Sequence, residues 1–165
     1  PPNWNEHFMK RVYDVAAKSK DGSSKLGAVL VEDNAAFSDG YNGFPRGLDD
    51  SNPLRHERPE KYHWFEHAER NSIYNAARRG ISTLGATMYT NGIPCTDCAR
   101  AVVQAGITRV VVHKEWNTIQ LAEMNSYAEH FSRTAEMFEE AGVLLIEFSG
   151  LLGKTGYLSE KKRSL

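Results

Sequence analysis

Scarcity is the first thing this 165-residue chain shows. It has two cysteines and no more, both within "PCTDC" (94–98), which excludes a disulfide framework. No apolar run approaches the roughly 18 residues needed to span a bilayer. The opening "PPNWNEHFMKRV" also lacks the layout of a signal peptide, so a cytoplasmic location with no membrane partner is expected. An excess of charge is missing too: 20 Lys and Arg stand against 21 Asp and Glu, a net charge of −1. That balance gives no overall electrostatic footprint for duplex binding, and no nucleic-acid partner is expected. Basic residues cluster only at 18–20, 78–79 and 161–163, as solvated surface runs do. There is no internal repeat and no low-complexity segment.

What remains is an ordinary globular composition, 41% hydrophobic and 25% charged, long enough for one domain with a substantial core. Trp4, Phe8, Val12 and Val15 recur at helical spacing, with Asn3 and Glu6 as a capping pair. "DGSS" (21–24) breaks that helix. "LGAVLVE" (26–32) and "AAFSDGY" (35–41) read as an antiparallel hairpin around Asp33-Asn34. From Asn42 to about Phe65 no period is visible, and a loop of that length inside a domain is more often functional than idle. A helix over 67–79, stopped by Gly80, is followed by strand 85–90, a helix over 95–105, strand 109–112, a longer helix carrying Tyr127, Phe131 and Phe138, and strand 143–148. These crossovers predict parallel pairing of the last three strands. The expected architecture is an α/β fold, a three-layer α/β/α sandwich on a mixed five-stranded sheet. Residues 1–150 are expected as one catalytic domain, with 151–165 as a C-terminal tail.

The spacing of Cys95 and Cys98 fits a redox pair, half of a structural zinc site, or two ligands of a working metal. Pro94 suits the first turn of a helix, which places both thiols at a helix N-terminus where thiolates are favoured. A redox C-x-x-C usually follows the opening strand of a βαβ unit, whereas here two strands and a long loop come first. A closed zinc site needs two more paired Cys or His ligands, and the chain has no further cysteine to supply them. Three protein ligands with an open position is the pattern of a catalytic zinc. His67, in "EHAERNS" (66–72), opens a helix on the same carboxyl-end side of the sheet and is the candidate third ligand. Glu69 follows two residues later. Positions i and i+2 do not share a helix face, so His67 and Glu69 meet only at a point in front of the first turn.

H-x-E (67–69) followed by P-C-x-x-C (94–98) resembles the zinc-dependent cytidine deaminase superfamily. "SKDGSSKLGAVLV" (19–31), "GYNGFPRG" (40–47) and "HAERNSIYNAARRG" (67–80) narrow the resemblance to the deoxycytidylate (dCMP) deaminase family, over residues 4–148. The resemblance implies one catalytic Zn²⁺ per chain held by His67, Cys95 and Cys98, with Glu69 carrying protons. It implies hydrolysis of dCMP to dUMP and ammonia, a step of pyrimidine deoxynucleotide metabolism. Substrate contacts follow for Asn42, for the backbone N–H of Ala68, for Lys25 at the 5′-phosphate and for Trp116 over the sugar. Family members are often hexamers regulated by dCTP and dTTP bound with Mg²⁺ near the "GYNGFPRG" loop. Gly43, Phe44, Arg46 and Arg78 are therefore candidate effector or interface residues, and a homo-oligomer is expected. The rival classes are a polynucleotide deaminase of the tRNA adenosine type, and a non-catalytic zinc-binding scaffold, against which the presence of Glu69 argues.

Overall fold

Asn3 begins the first element as a cap should: its Oδ1 accepts the backbone N–H of Glu6 at 2.8 Å, closing helix α1 (Trp4–Ala16). A computed structural model describes residues 1–165 of the protein. Strands β1 (Gly27–Glu32) and β2 (Ala35–Tyr41) pair antiparallel across Asp33 and Asn34, both at positive φ (49° and 58°), the conformation of a two-residue hairpin turn. The stretch expected as irregular holds a 3₁₀ turn (Pro53–His56) and the short helix α2 (Lys61–Trp64). The chain continues through α3 (Ala68–Arg78), β3 (Thr87–Thr90), α4 (Thr96–Gln104), β4 (Arg109–His113), α5 (Lys114–Glu123), α6 (Tyr127–Ala141) and β5 (Leu144–Phe148). A last hairpin is formed by β6 (Thr155–Leu158) and β7 (Lys161–Ser164).

The main sheet has the order β2-β1-β3-β4-β5, with β1 antiparallel to both neighbours and β3, β4 and β5 parallel. This is the expected mixed sheet, and helices cover both faces. Successive side chains of a strand point to opposite faces, so the central strands feed two cores at once. Ala28, Leu30, Met88, Val110 and Val112 pack beneath α3, α4 and α6. Val29, Val31, Tyr89 and Val111 pack beneath α1 and α5. Gly27 lets α1 approach the sheet edge: a Cβ there would stand 2.3 Å from the Val12 carbonyl oxygen.

Two features depart from the sequence reading. Helix α5 escaped it because its inner face carries Trp116, Asn117 and Gln120, and two buried amides interrupt the apolar period. Residues 151–165 are no tail. Leu152, Leu158 and Leu165 are buried in the α1-side core, and the hairpin is tied to the segment before β1. Lys25 N–H donates to Tyr157 O at 2.9 Å, Glu160 N–H to Ser23 O at 2.8 Å, and Tyr157 Oη to Gly22 O at 3.2 Å. The hairpin turn uses Ser159 and Glu160 at positive φ, residues that carry no standard turn signal. No helix is long and apolar enough to cross a membrane.

An integral hairpin has a measurable consequence. Leu158→Ala should destabilise the fold by about 2–5 kcal/mol, as deletion of a buried leucine does elsewhere. Denaturant titration of the variant is the measurement, and an unshifted midpoint would mean that residues 151–165 hang free of the core.

Candidate active site

Helices α3 and α4 both start at the carboxyl edge of the sheet, with His67 and Cys95 at their N-cap positions. N-cap side chains ordinarily accept a hydrogen bond from the first turn, but neither of these does. They turn toward one another instead. Cys95 Sγ lies 3.5 Å and Cys98 Sγ 3.4 Å from His67 Nδ1, and the three ligand atoms fall within 4.8 Å of one another. Tetrahedral zinc with ordinary Zn–S and Zn–N bonds sets its sulfur and nitrogen ligands about 3.5 Å apart, so the residues fit that ion. The off-axis position of an N-cap also resolves the i, i+2 problem of His67 and Glu69.

The two thiols are pushed in opposite directions. A hydrogen bond from Cys98, with His67 alongside, pulls the Cys95 thiol down to about 3, while that same bond and burial push Cys98 up. Arg70 Nη1 stands 3.5 Å from Cys98 Sγ, and its guanidinium is held by Glu66, Nε to Oε1 at 2.6 Å. Glu69 is buried with Oε2 3.7 Å from Cys98 Sγ. Burial raises its carboxyl above the ordinary range, and the neighbouring His67 charge opposes that rise. A carboxyl of that kind holds a proton closer to neutrality and can both take and return it.

His67 and Cys95 line the inner end of a cavity of about 490 Å³. Behind that end lies a recess of about 20 Å³, with Glu69 in its wall. Tyr127 borders both spaces, its hydroxyl pushed up to about 12 by burial and the nearby Glu69 and cysteines. The outer part carries Arg58, Lys61 and His130. Lys61 is already spent on Asp21, Nζ to Oδ2 at 2.7 Å. His130 Nδ1 accepts the backbone N–H of Thr96 at 3.3 Å, which leaves Nε2 as the donating nitrogen of the neutral ring. Arg58 donates only to Ser23 Oγ, at 3.1 Å, and has no carboxylate partner.

The substrate contacts expected from the sequence divide. Asn42 borders the cavity, but both of its amide hydrogens are taken, by Asp21 Oδ2 at 3.1 Å and Ser24 O at 2.9 Å, while Oδ1 accepts the Leu26 N–H. Ala68 sits buried at the start of α3, where its N–H has no intrahelical acceptor. Lys25 is misplaced: neighbours on an extended segment point opposite ways, so Leu26 faces the cavity and Lys25 lies over the Tyr157 ring, 5.8 Å from its centroid. Trp116 is misplaced too. It is fully buried in the α1-side core, with its ring 6.1 Å from that of Tyr13, and covers no ligand.

The other four expected residues come together elsewhere. Gly43 is bonded in both directions to Glu66, and the Phe44 ring sits 4.6 Å from Phe65. Gly43, Phe44, Arg46 and Arg78 border one cavity of about 370 Å³. Arg46 and Arg78 also border an adjoining one of about 670 Å³ with Arg11 and Arg79, opposite a single acid, Asp39. Sequence reasoning missed Asp21, Arg58, Lys61, Arg70, Tyr127 and His130. Its only signal for them was the unpatterned length of 42–65, which holds Arg58 and Lys61.

The chain is similar to known proteins in both sequence and fold. Residues 2–114 match the model of the cytidine and deoxycytidylate deaminase zinc-binding region. Deoxycytidylate deaminase of Mus musculus is 33% identical over 152 residues, covering 88% of this chain and 80% of the mouse protein. An uncharacterised deaminase from the luxG 3′ region of Aliivibrio fischeri is 32% identical, over 85% of this chain and 90% of its own length. The fold matches that of a dCMP deaminase from cyanophage S-TIM5, crystallised with dCMP and dUMP, at a TM-score of 0.69 and 22% identity, covering 90% and 98% of the two chains.

Purified protein should carry a single zinc ion per chain. Cys95→Ser and Cys98→Ser should each lose nearly all of it, because an alcohol ligates zinc far less well than a thiolate at neutral pH. Elemental analysis finding full zinc in either serine variant would place the metal elsewhere.

Proposed function

The chain belongs to the cytidine and deoxycytidylate deaminase family, and from that membership we propose that it hydrolyses the 4-amino group of dCMP to give dUMP and ammonia. The observation that carries this reading is the cavity at the metal set. It is lined by His67 and Cys95, adjoins the recess that holds the buried Glu69 carboxyl, and also carries Arg58, which has no carboxylate partner. When bound by His67, Cys95 and Cys98, zinc supplies Lewis acidity that makes water a nucleophile near neutral pH.

The rest is work for the chain's own groups. Glu69 takes a proton from the attacking water and passes it to ring N3 as the water oxygen bonds to C4. It then takes the remaining proton from the C4 hydroxyl and delivers it to the amino nitrogen as the C4–N bond breaks, which leaves a C4 carbonyl and sends the electron pair out with ammonia. Arg70, beside Cys98, offsets thiolate charge. The N–H of Ala68 is the donor for the pyrimidine carbonyl. Asn42 holds the wall formed by Asp21, Ser24 and Leu26, and its remaining oxygen lone pair is free for a sugar hydroxyl. Arg58 and His130 take the 5′-phosphate, the role that Lys25 cannot fill from its place over Tyr157.

The arginine-lined cavities suit a second, regulatory nucleotide. Arg11, Arg46, Arg78 and Arg79 present four guanidinium groups against one carboxylate, a setting for the triphosphate of dCTP or dTTP. Mg²⁺ would arrive on the phosphates, since the arginines offer it no ligand. Exposed Tyr41, Leu48 and Tyr74 lie near this region and fit a subunit contact in a hexamer. A cytoplasmic location suits two metal-binding thiols, which must stay reduced.

Glu69→Gln should keep fold and zinc while losing about 10²–10⁴-fold in kcat, because the amide keeps the shape but moves no proton. Ammonia release at more than a tenth of the wild-type rate would assign the proton transfers to another group. Arg58→Ala should lower kcat/KM on dCMP by about tenfold to a hundredfold, the worth of a charge-assisted contact, and leave the slow reaction on deoxycytidine nearly unchanged. Equal rates of the wild type on dCMP and deoxycytidine would end the nucleotide reading.

A further inference from the structure

Gln120 lies on the inner face of α5, 4% exposed, and its Oε1 is buried with no hydrogen-bond partner within the protein. A buried amide oxygen without a partner is rare enough to require an explanation. Here it borders the small recess behind the active-site cavity, in company with Glu69, His67 and Cys95. The placement is rigid. Asn117, three residues earlier on the same helix, accepts the Ile93 N–H on Oδ1 at 2.9 Å, which ties α5 to the segment that carries Pro94 and Cys95. Gly92, which lines the same recess, meets the Gln120 amide with bare backbone. A Cβ at Gly92 would stand 2.8 Å from Gln120 Oε1 and 2.8 Å from Trp116 Cδ1, so only glycine leaves the amide its place.

The recess, at about 20 Å³, has room for a single heavy atom with its hydrogens, the size of a water or an ammonia. Apart from the metal ligands, its polar groups are the Glu69 carboxyl, the Tyr127 side chain and the Gln120 amide. We propose that Gln120 reads the exocyclic amino group of the substrate, accepting its N–H within the recess and retaining the ammonia formed from it until it leaves. This rests on the deaminase reading above. An amide carbonyl accepts from an amino group, whereas a ring with hydrogen at C4 offers it nothing, so the contact makes binding depend on the amino group itself.

The test separates the two claims. In a zinc-loaded Glu69→Gln background, whose turnover is slowed about 10²–10⁴-fold, Kd is measured by rapid-mixing binding, completed before turnover, for dCMP and for the 2-pyrimidinone deoxyribonucleotide, which lacks the amino group. Adding Gln120→Met, which preserves length and bulk, should weaken dCMP roughly tenfold and leave the amino-free nucleotide within about twofold. Equal weakening of both ligands, or of neither, overturns the assignment. Gln120→Leu, which also lacks the carbonyl acceptor, should give the same selective loss and replaces Gln120→Met if that variant does not fold. If the Glu69→Gln parent binds neither nucleotide, the deaminase reading fails before position 120 is touched, and this inference falls with it.

Discussion

Everything at this site depends on two helices beginning at the same point in space. The N-terminus of a helix carries partial positive charge and unpaired N–H groups, and α3 and α4 aim theirs at one spot on the carboxyl edge of the sheet. Such a place favours thiolate over thiol, which suits a soft divalent metal. Both helices give up an ordinary side-chain cap, and the N-cap residue of each supplies a metal ligand instead. The sheet fixes their spacing: β3 feeds α4 directly, while β2 returns the chain to the same edge ahead of α3.

Around that point the walls are polar and fully bonded. Asp21 accepts from Lys61, Asn42 and the Ser23 N–H, and Asn42 in turn holds Ser24 and Leu26. A buried network of this kind rigidifies when every member is satisfied. The C-terminal hairpin braces it from outside through Gly22, Ser23 and Lys25. Helix α5 departs from this: the Gln120 amide oxygen finds no partner, and neither do the Trp116 and Asn117 donors beside it.

The fold and the metal ligands were legible because both are written locally. Strand alternation, the Asp33-Asn34 turn and the H-x-E and P-C-x-x-C spacings each encode geometry within a few residues. Lys25 and Trp116 failed because a residue's place along the chain says nothing about which way it faces. One step of an extended strand sends Leu26 to the cavity and Lys25 to Tyr157, and one face of α5 sends Trp116 into the core. The hairpin of 155–164 was hidden by its charges, since only Leu158 and a few neighbours point inward. Arg58, His130 and Gln120 were unreadable for a different reason: they reach the site from separate segments, brought together only by tertiary packing.

The unequal thiols of Cys95 and Cys98 have an effect on how the protein ages. Without metal, a low-pKa thiolate sits beside a second thiol, the arrangement in which oxidation to a sulfenic acid is captured by the neighbouring sulfur as a disulfide. Bound zinc occupies both sulfurs and blocks that route. The metal is therefore also a preservative, and stripping it under air turns a reversible loss of activity into covalent damage that added zinc alone does not undo.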